Sequence, residues 1–190
     1  ANVLIILEGQ ARTGKTTACQ ELIRRFRECG TQARIFKSNI RSSNPAAAIV
    51  EQLLPLCFDD RCVWICDRAH ITERVYSTYY GRELSYDPNI LAHCDGIMSL
   101  AGTIMFHLVA SADVLDTRMK ATHRATEGSI SDLSKLFEQF IAGSKIMTQV
   151  IDTSQRSTEE VTEMIFNSYL WLSAEGDEDD DEANSFETMD

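Results

Sequence analysis

Gly9-Gln10-Ala11-Arg12-Thr13-Gly14-Lys15-Thr16 is the stretch that decides how this chain is read. It fits the pattern of a glycine, four residues of any kind, then glycine, lysine and a hydroxyl residue. Each part has a chemical reason. The glycines let backbone N–H groups turn inward around phosphate oxygens. Lys15 brings a positive charge to the β- and γ-phosphates of a nucleoside triphosphate, and the Thr16 hydroxyl is a ligand for Mg2+. Thr17 opens the helix that follows, whose positive end points at the anion. An apolar run, Val3 to Leu7, precedes the octet. An amphipathic segment, Thr17 to Cys29, follows it, with Ala18, Leu22, Phe26 and Cys29 on one face. Strand, loop and helix in that order are the context a phosphate loop requires, and an incidental lysine on a turn would lack it.

The same alternation continues outward. Ala33 to Phe36, Cys62 to Cys66, Thr103 to Val109 and Met147 to Ile151 read as four more apolar strands. Helices are predicted from Asn44-Pro45, over Ile71 to Tyr80, from Asp87-Pro88 to about Leu100, from Ser111 to about Lys120 and over Asp132 to Lys145. Ser157 with Glu160 forms a capping box for a last helix, lined by Val161, Met164, Ile165 and Leu172. Strands alternating with helices predict an α/β domain with a mostly parallel sheet. Continuous apolar strands suit a sheet covered on both faces. Neither an internal repeat nor a second domain is expected within these residues.

Val63-Trp64-Ile65-Cys66-Asp67-Arg68 places a carboxylate at the C-terminal edge of a buried strand, the edge at which ligands sit in open α/β sheets. Asp67 is within reach of the metal shell or of an attacking hydroxyl. Arg68 neutralises a phosphate, and the alternative is a strand-end salt bridge.

The longer stretch Asp67-Arg68-Ala69-His70-Ile71-Thr72-Glu73-Arg74-Val75-Tyr76 resembles the D-R-x-x-x-S-E-x-V-Y motif of thymidylate kinases and deoxynucleoside kinases. The phosphate loop agrees, and the order of elements matches from about Val3 to Leu172. The resemblance implies a three-layer P-loop kinase fold, with a five-stranded parallel sheet flanked by helices, over residues 1–174. It implies ATP and Mg2+ as cofactors, with Gly9 to Thr17 holding the nucleotide and Thr16 and Asp67 the metal. Arg12 resembles the arginine that one thymidylate-kinase subclass uses on the transferring phosphoryl group. Lys15, Asp67 and Arg68 take catalytic positions. Arg118 and Arg124 bracket a segment resembling the family's lid, around 118–130, which closes over the phosphates and excludes water. Lys37, Arg41, Arg68, Glu73 and Tyr76 fall on the acceptor side. Ser154 and Gln155, after the fifth strand, are candidates to touch the adenine.

Two departures bear on the acceptor. Many thymidylate kinases carry an acidic residue one position before Arg12, which holds the 3′-hydroxyl of the acceptor sugar. This chain has Ala11, which accepts no hydrogen bond. The family's carboxylate after the second strand is also missing from Lys37-Ser38-Asn39-Ile40-Arg41-Ser42-Ser43, which is basic instead. The expected acceptor is a pyrimidine deoxynucleotide. The alternative is a base inside DNA, as in a bacteriophage subfamily that phosphorylates 5-hydroxymethyluracil in DNA. Lys37 and Arg41 would then meet backbone phosphates, and the base would leave the stack to react. An anionic monophosphate acceptor needs no base, whereas a hydroxyl acceptor needs one, from Asp67 or Glu73. A nucleotide-dependent switch without acceptor chemistry is the other class, although a guanine reader of the N-K-x-D type is lacking.

Composition sets the remaining bounds. Of the net charge of −11, nine acidic residues lie between Glu175 and Asp190, which leaves −2 for residues 1–174. The acidic segment, 175–190, is predicted to be a disordered tail that discourages non-specific nucleic-acid binding. Six cysteines, most of them in apolar stretches, read as reduced and buried, as in a cytoplasmic protein. Cys57, Cys62, Cys66 and His70 lack the spacing of a zinc knuckle. Neither a membrane-spanning run nor a signal peptide is expected. Thymidylate kinases are commonly homodimers, and no surface patch in the sequence marks the interface.

Overall fold

A computed structural model describes residues 3–37, 45–82, 88–122 and 128–184. The strands are β1 (Leu4–Glu8), β2 (Ala33–Lys37), β3 (Val63–Asp67), β4 (Ile104–Val109) and β5 (Met147–Asp152). The helices are α1 (Lys15–Glu28), α2 (Pro45–Leu53), α3 (His70–Tyr79), α4 (Pro88–Leu100), α5 (Ala112–Ala121), α6 (Ile130–Ala142) and α7 (Thr158–Asn184), with a 3-10 turn over Leu54–Phe58 after α2. The sheet is five-stranded, in the order β2-β3-β1-β4-β5, and every pairing is parallel. The predicted α/β architecture is therefore the observed one.

β1 sits at the centre and is buried along its whole length. Its side chains alternate between the two faces, as strand geometry dictates. Ile5 and Leu7 pack with Ala18, Leu22 and Phe26 of α1 and with Val161, Ile165 and Phe166 of α7. Leu4 and Ile6 pack with Ile49 and Leu53 of α2, Ile71 and Val75 of α3, Met98 of α4 and Phe137 of α6. Each such aliphatic side chain contributes roughly 1.5–3 kcal/mol on burial. Two cores thus hold the sheet from opposite sides, and all strands present their C-terminal ends at one edge.

Several boundaries move for local reasons. α1 begins at Lys15, two residues before the predicted start, because Gly14 at its N-cap adopts a left-handed conformation. The amides of the phosphate loop therefore run directly into a helix N-terminus. α6 begins at Ile130 because the Ser129 side chain caps it, accepting from the Asp132 amide at 3.3 Å. The predicted capping box on α7 forms, with Ser157 N donating to Glu160 Oε2 at 2.7 Å and Glu160 N to Ser157 Oγ at 3.1 Å. α7 runs to Asn184, into the acidic segment from Glu175, and an established helix gains one backbone bond for each residue it adds. Residues 185–190 lie outside the described residues. No helix among the described residues is long and apolar enough to cross a membrane.

The cysteine expectation holds for position: Cys19, Cys57, Cys62, Cys66 and Cys94 are buried and Cys29 is exposed. His70 belongs to a buried polar cluster. Asp95 of α4 takes the His70 ring at 2.8 Å, the Ser144 hydroxyl at 2.6 Å and the Lys145 amide at 2.6 Å. This carboxylate joins the start of α3, the middle of α4 and the approach to β5.

Candidate active site

β1 and β3 run in register, Leu7 opposite Asp67, and the last bond between them is Arg68 N to Leu7 O at 3.1 Å. The chain then turns sharply, with Arg68 at a φ of 77°. Glu8, one residue on from Leu7, lies fully buried at this turn. Its carboxylate accepts from Ala69 N at 2.9 Å, Ile71 N at 3.1 Å and the Thr72 hydroxyl. α3 has no side-chain cap of its own, so Glu8 supplies one from another strand and places negative charge at a positive helix end. Burial raises the Glu8 carboxyl above its usual range, against the opposing pull of Thr72 and His70.

The phosphate loop leaves β1 through Gly9, whose φ is 142° and where any Cβ would collide with the Leu108 carbonyl oxygen. Thr13 Oγ1 donates to Gln10 O at 2.9 Å. Lys15 folds back across the loop, donating to Gln10 O and to Thr13 Oγ1, the latter at 3.2 Å. Burial, followed by the nearby Arg68 charge, lowers the Lys15 amine to about 8. The Gln10 side chain ties the loop to α6, donating to Ile130 O at 3.1 Å and Ser134 Oγ at 2.6 Å.

On the far side of the loop, the Thr16 hydroxyl donates to Asp67 Oδ2 at 2.6 Å. Asp67 Oδ1 is buried and has no hydrogen-bond partner in the structure. A buried carboxylate oxygen left unpaired beside a hydroxyl is a hard-oxygen donor set, and it fits Mg2+ bound through few protein ligands plus phosphate and water.

A cavity of about 570 Å3 opens over the loop. Ala11, Arg12, Thr13, Gly14, Lys15, Thr16, Thr17, Arg68 and Arg118 all line it, so the structure brings most of the predicted nucleotide residues together. Gly9 and Gln10 shape the loop from beneath without lining the cavity. Thr153, Arg156 and Thr158 supply the wall after β5. Ser154 and Gln155, the predicted adenine contacts, are not part of that wall, and the Ser154 hydroxyl instead accepts from Ser111 N at 2.8 Å. Arg118 reaches in from α5. Its guanidinium donates to Arg12 O at 3.1 Å, Thr153 Oγ1 at 3.2 Å and Thr153 O at 2.8 Å.

Of the predicted acceptor residues, Arg68 lines this cavity, whereas Lys37, Glu73 and Tyr76 do not. Lys37 is exposed at the end of β2, opposite Asp67 in the sheet register. Glu73 is buried on α3, with Oε1 accepting from Ser77 Oγ at 3.0 Å and Oε2 without a partner in the structure, and burial raises its carboxyl. Tyr76 is half-buried against Tyr80 and Phe137. Arg41 and Arg124 lie outside the described residues, as do 123–127 of the predicted lid. Sequence reasoning missed Glu8, Thr153 and Arg156. For Glu8 a signal existed, an acidic residue closing an apolar strand directly before the first loop glycine.

No family model and no curated protein matches the chain. Solved structures do share its architecture. It is similar to the YorR protein of Bacillus subtilis, solved in complex with phosphorylated GDP, with a TM-score of 0.71 and 21% identity, covering 88% of this chain and 96% of that one. It is also similar to deoxyadenosine kinase from M. mycoides, solved with the products dCMP and a flexible dCDP, with a TM-score of 0.57 and 17% identity, covering 90% of this chain and the whole of the other. At these identities the likeness is one of fold, a five-stranded parallel sheet flanked by helices.

Proposed function

We propose that this chain is an ATP-dependent kinase of the thymidylate-kinase type, passing a γ-phosphoryl group to a pyrimidine deoxynucleotide-like acceptor. The observation that carries the reading is the contact between Thr16 and Asp67 beside a lysine-bearing phosphate loop. The shared fold with YorR and with a deoxyadenosine kinase supports it.

Loop amides at the start of α1 bind the phosphates. Lys15 exchanges its contacts within the loop for the β- and γ-oxygens. Arg12 and Arg68, both on the cavity wall, offset the charge that spreads over the transferring group. Thr16 and Asp67 would hold Mg2+, which would supply Lewis-acid neutralisation of phosphate charge there. A monophosphate acceptor attacks as an anion and requires no base. A hydroxyl acceptor requires one, and the buried, partly unpaired Glu73 is the candidate.

Ala11 favours one alternative acceptor. A free 3′-hydroxyl finds no partner there, which suits 5-hydroxymethyluracil held within DNA.

The test is transfer of label from ATP to a panel of dTMP, dCMP, deoxynucleosides, plain DNA and hydroxymethyluracil DNA. Label on a free deoxynucleotide supports the proposal. Label on modified DNA alone replaces it with the alternative. ATP binding with no transfer to any acceptor would indicate a nucleotide-dependent switch.

A further inference from the structure

Arg118 is predicted as a lid cation that meets the transferring phosphate. Its hydrogen bonds describe a different task. The guanidinium is committed to the Arg12 carbonyl and to both oxygens of Thr153. Thr153 is itself buried and fixed. Its amide donates to Val109 O at 2.8 Å, and its hydroxyl lies 3.1 Å from Thr13 O and 3.2 Å from Val109 O. One threonine thus joins the ends of β4 and β5 to the phosphate loop, and Arg118 closes the junction from α5.

The point of attachment matters. Arg12 has a φ of 68°, a left-handed conformation that costs energy for any residue with a side chain. Such strain persists where surrounding contacts over-determine it. The peptide after Arg12 is planar and trans, so its C=O and the Thr13 N–H point in opposite directions. Pinning the carbonyl toward Arg118 therefore turns the Thr13 N–H the other way. Released, the peptide could flip, and both that N–H and the Arg12 side chain would lose their direction.

We infer that Arg118 is a positioning residue, which holds the Arg12–Thr13 peptide in its phosphate-receiving orientation and acts on catalysis through Arg12. This rests on the phosphotransfer reading for its kinetic consequence, but not for its structural one.

The kinetic test is a double-mutant comparison. Arg118→Ala should lower kcat on the order of 10²-fold, the scale of a misplaced catalytic group. Arg118→Lys, which keeps one donor, should recover part of it. In the Arg12→Ala background, adding Arg118→Ala should change kcat by no more than about twofold, because residues acting as a unit are not additive. Losses that multiply would show that Arg118 acts directly on the phosphate and would overturn the inference, as would a fully active Arg118→Ala.

The structural test is amide hydrogen exchange over residues 10–16 without ligand. Arg118→Ala should speed it by about tenfold or more while the melting temperature holds. Thr153→Val, which removes the hydroxyl at nearly constant shape, should do the same and stands in if Arg118→Ala fails to fold. Unchanged exchange in both would overturn the inference. If the wild-type chain transfers phosphate to no acceptor, the kinase reading fails while the exchange experiment still decides the role of Arg118.

Discussion

The Thr16 hydroxyl donates to Asp67 Oδ2 at 2.6 Å, tying the first turn of α1 to the last residue of β3. The other Asp67 oxygen is buried without a partner. The pair is thus half satisfied from within the protein. Asp67→Asn should lower kcat on the order of 10²–10³-fold, the scale of a lost charge-stabilising group. Thr16→Val should raise the Mg2+ concentration needed for half-maximal activity. A Mg2+ titration of activity in each variant checks this. Unchanged titrations in both would remove these residues from the metal site.

Lys15 is a buried amine whose pKa falls to about 8, first through burial and then through Arg68. Its folded value lies below its unfolded one, so below about pH 8 the folded state carries a charge it would rather lose. Stability should rise with pH from about 8 towards the unfolded value of 10.5. At about 1.4 kcal/mol per unit the cost near neutrality is on the order of 3 kcal/mol. Lys15→Met should therefore raise the melting temperature of the free protein while abolishing ATP binding. Thermal melts at pH 7 and calorimetric titration with ATP test both halves. Phosphate favours the charged amine, so ATP affinity in the wild type should weaken as pH climbs above about 8.

Glu8 satisfies three donors at the start of α3. Glu8→Ala leaves all three buried and unpaired, at an expected cost of about 3–5 kcal/mol, the range for breaking a buried charged network. Glu8→Gln keeps an acceptor oxygen for the two amides and should cost less. Burial raises this carboxyl above its usual value, so the folded chain holds this proton more tightly than the unfolded one. Its contribution is fullest at low pH and declines as pH rises through the folded value. Urea unfolding of both variants at pH 7 gives the ordering. Equal losses would mean that the carboxylate does not cap α3.

Asp95 has the opposite sign. Burial pushes its carboxyl up, but bonds from His70, Ser144 and Lys145 outweigh it and hold the pKa below 3.8. Its stabilisation is present above pH 3.8 and is lost as pH falls through the lower folded value. Asp95→Asn should flatten the acid limb of the stability curve and cost about 2–4 kcal/mol at neutral pH by leaving His70 poorly paired. Acid titration of the unfolding midpoint, wild type against variant, measures this.

Much of the fold was legible because the phosphate-loop pattern states its own context. A strand must precede Gly9 and a helix must follow Gly14. The five strands and the capping box at Ser157 and Glu160 were readable as local patterns. Strand order was not, because β1 is apolar on both faces and its alternation carries no polar mark to show which side α1 covers. Asp67 and Arg68 were readable from their place at a strand end. Glu8, Thr153 and Arg156 were less so. Their roles depend on what lies across the sheet edge, at separations such as that between Glu8 and Ala69, which no local pattern encodes. Arg118 lines the cavity, but its partners, Arg12 and Thr153, could not be inferred from spacing.

The two glycines that frame the loop are held to glycine by different constraints. At Gly14 the φ is 93° and the space where a Cβ would stand is open. The obstacle there is handedness alone, so Gly14→Ala should strain the backbone without a steric clash. At Gly9 the obstacle for an L-residue is also the Leu108 carbonyl. A side chain at Gly14 thus strains only the backbone, whereas one at Gly9 must also pry β4 away from the loop. The entrance to the loop is closed by matter and its exit only by chirality.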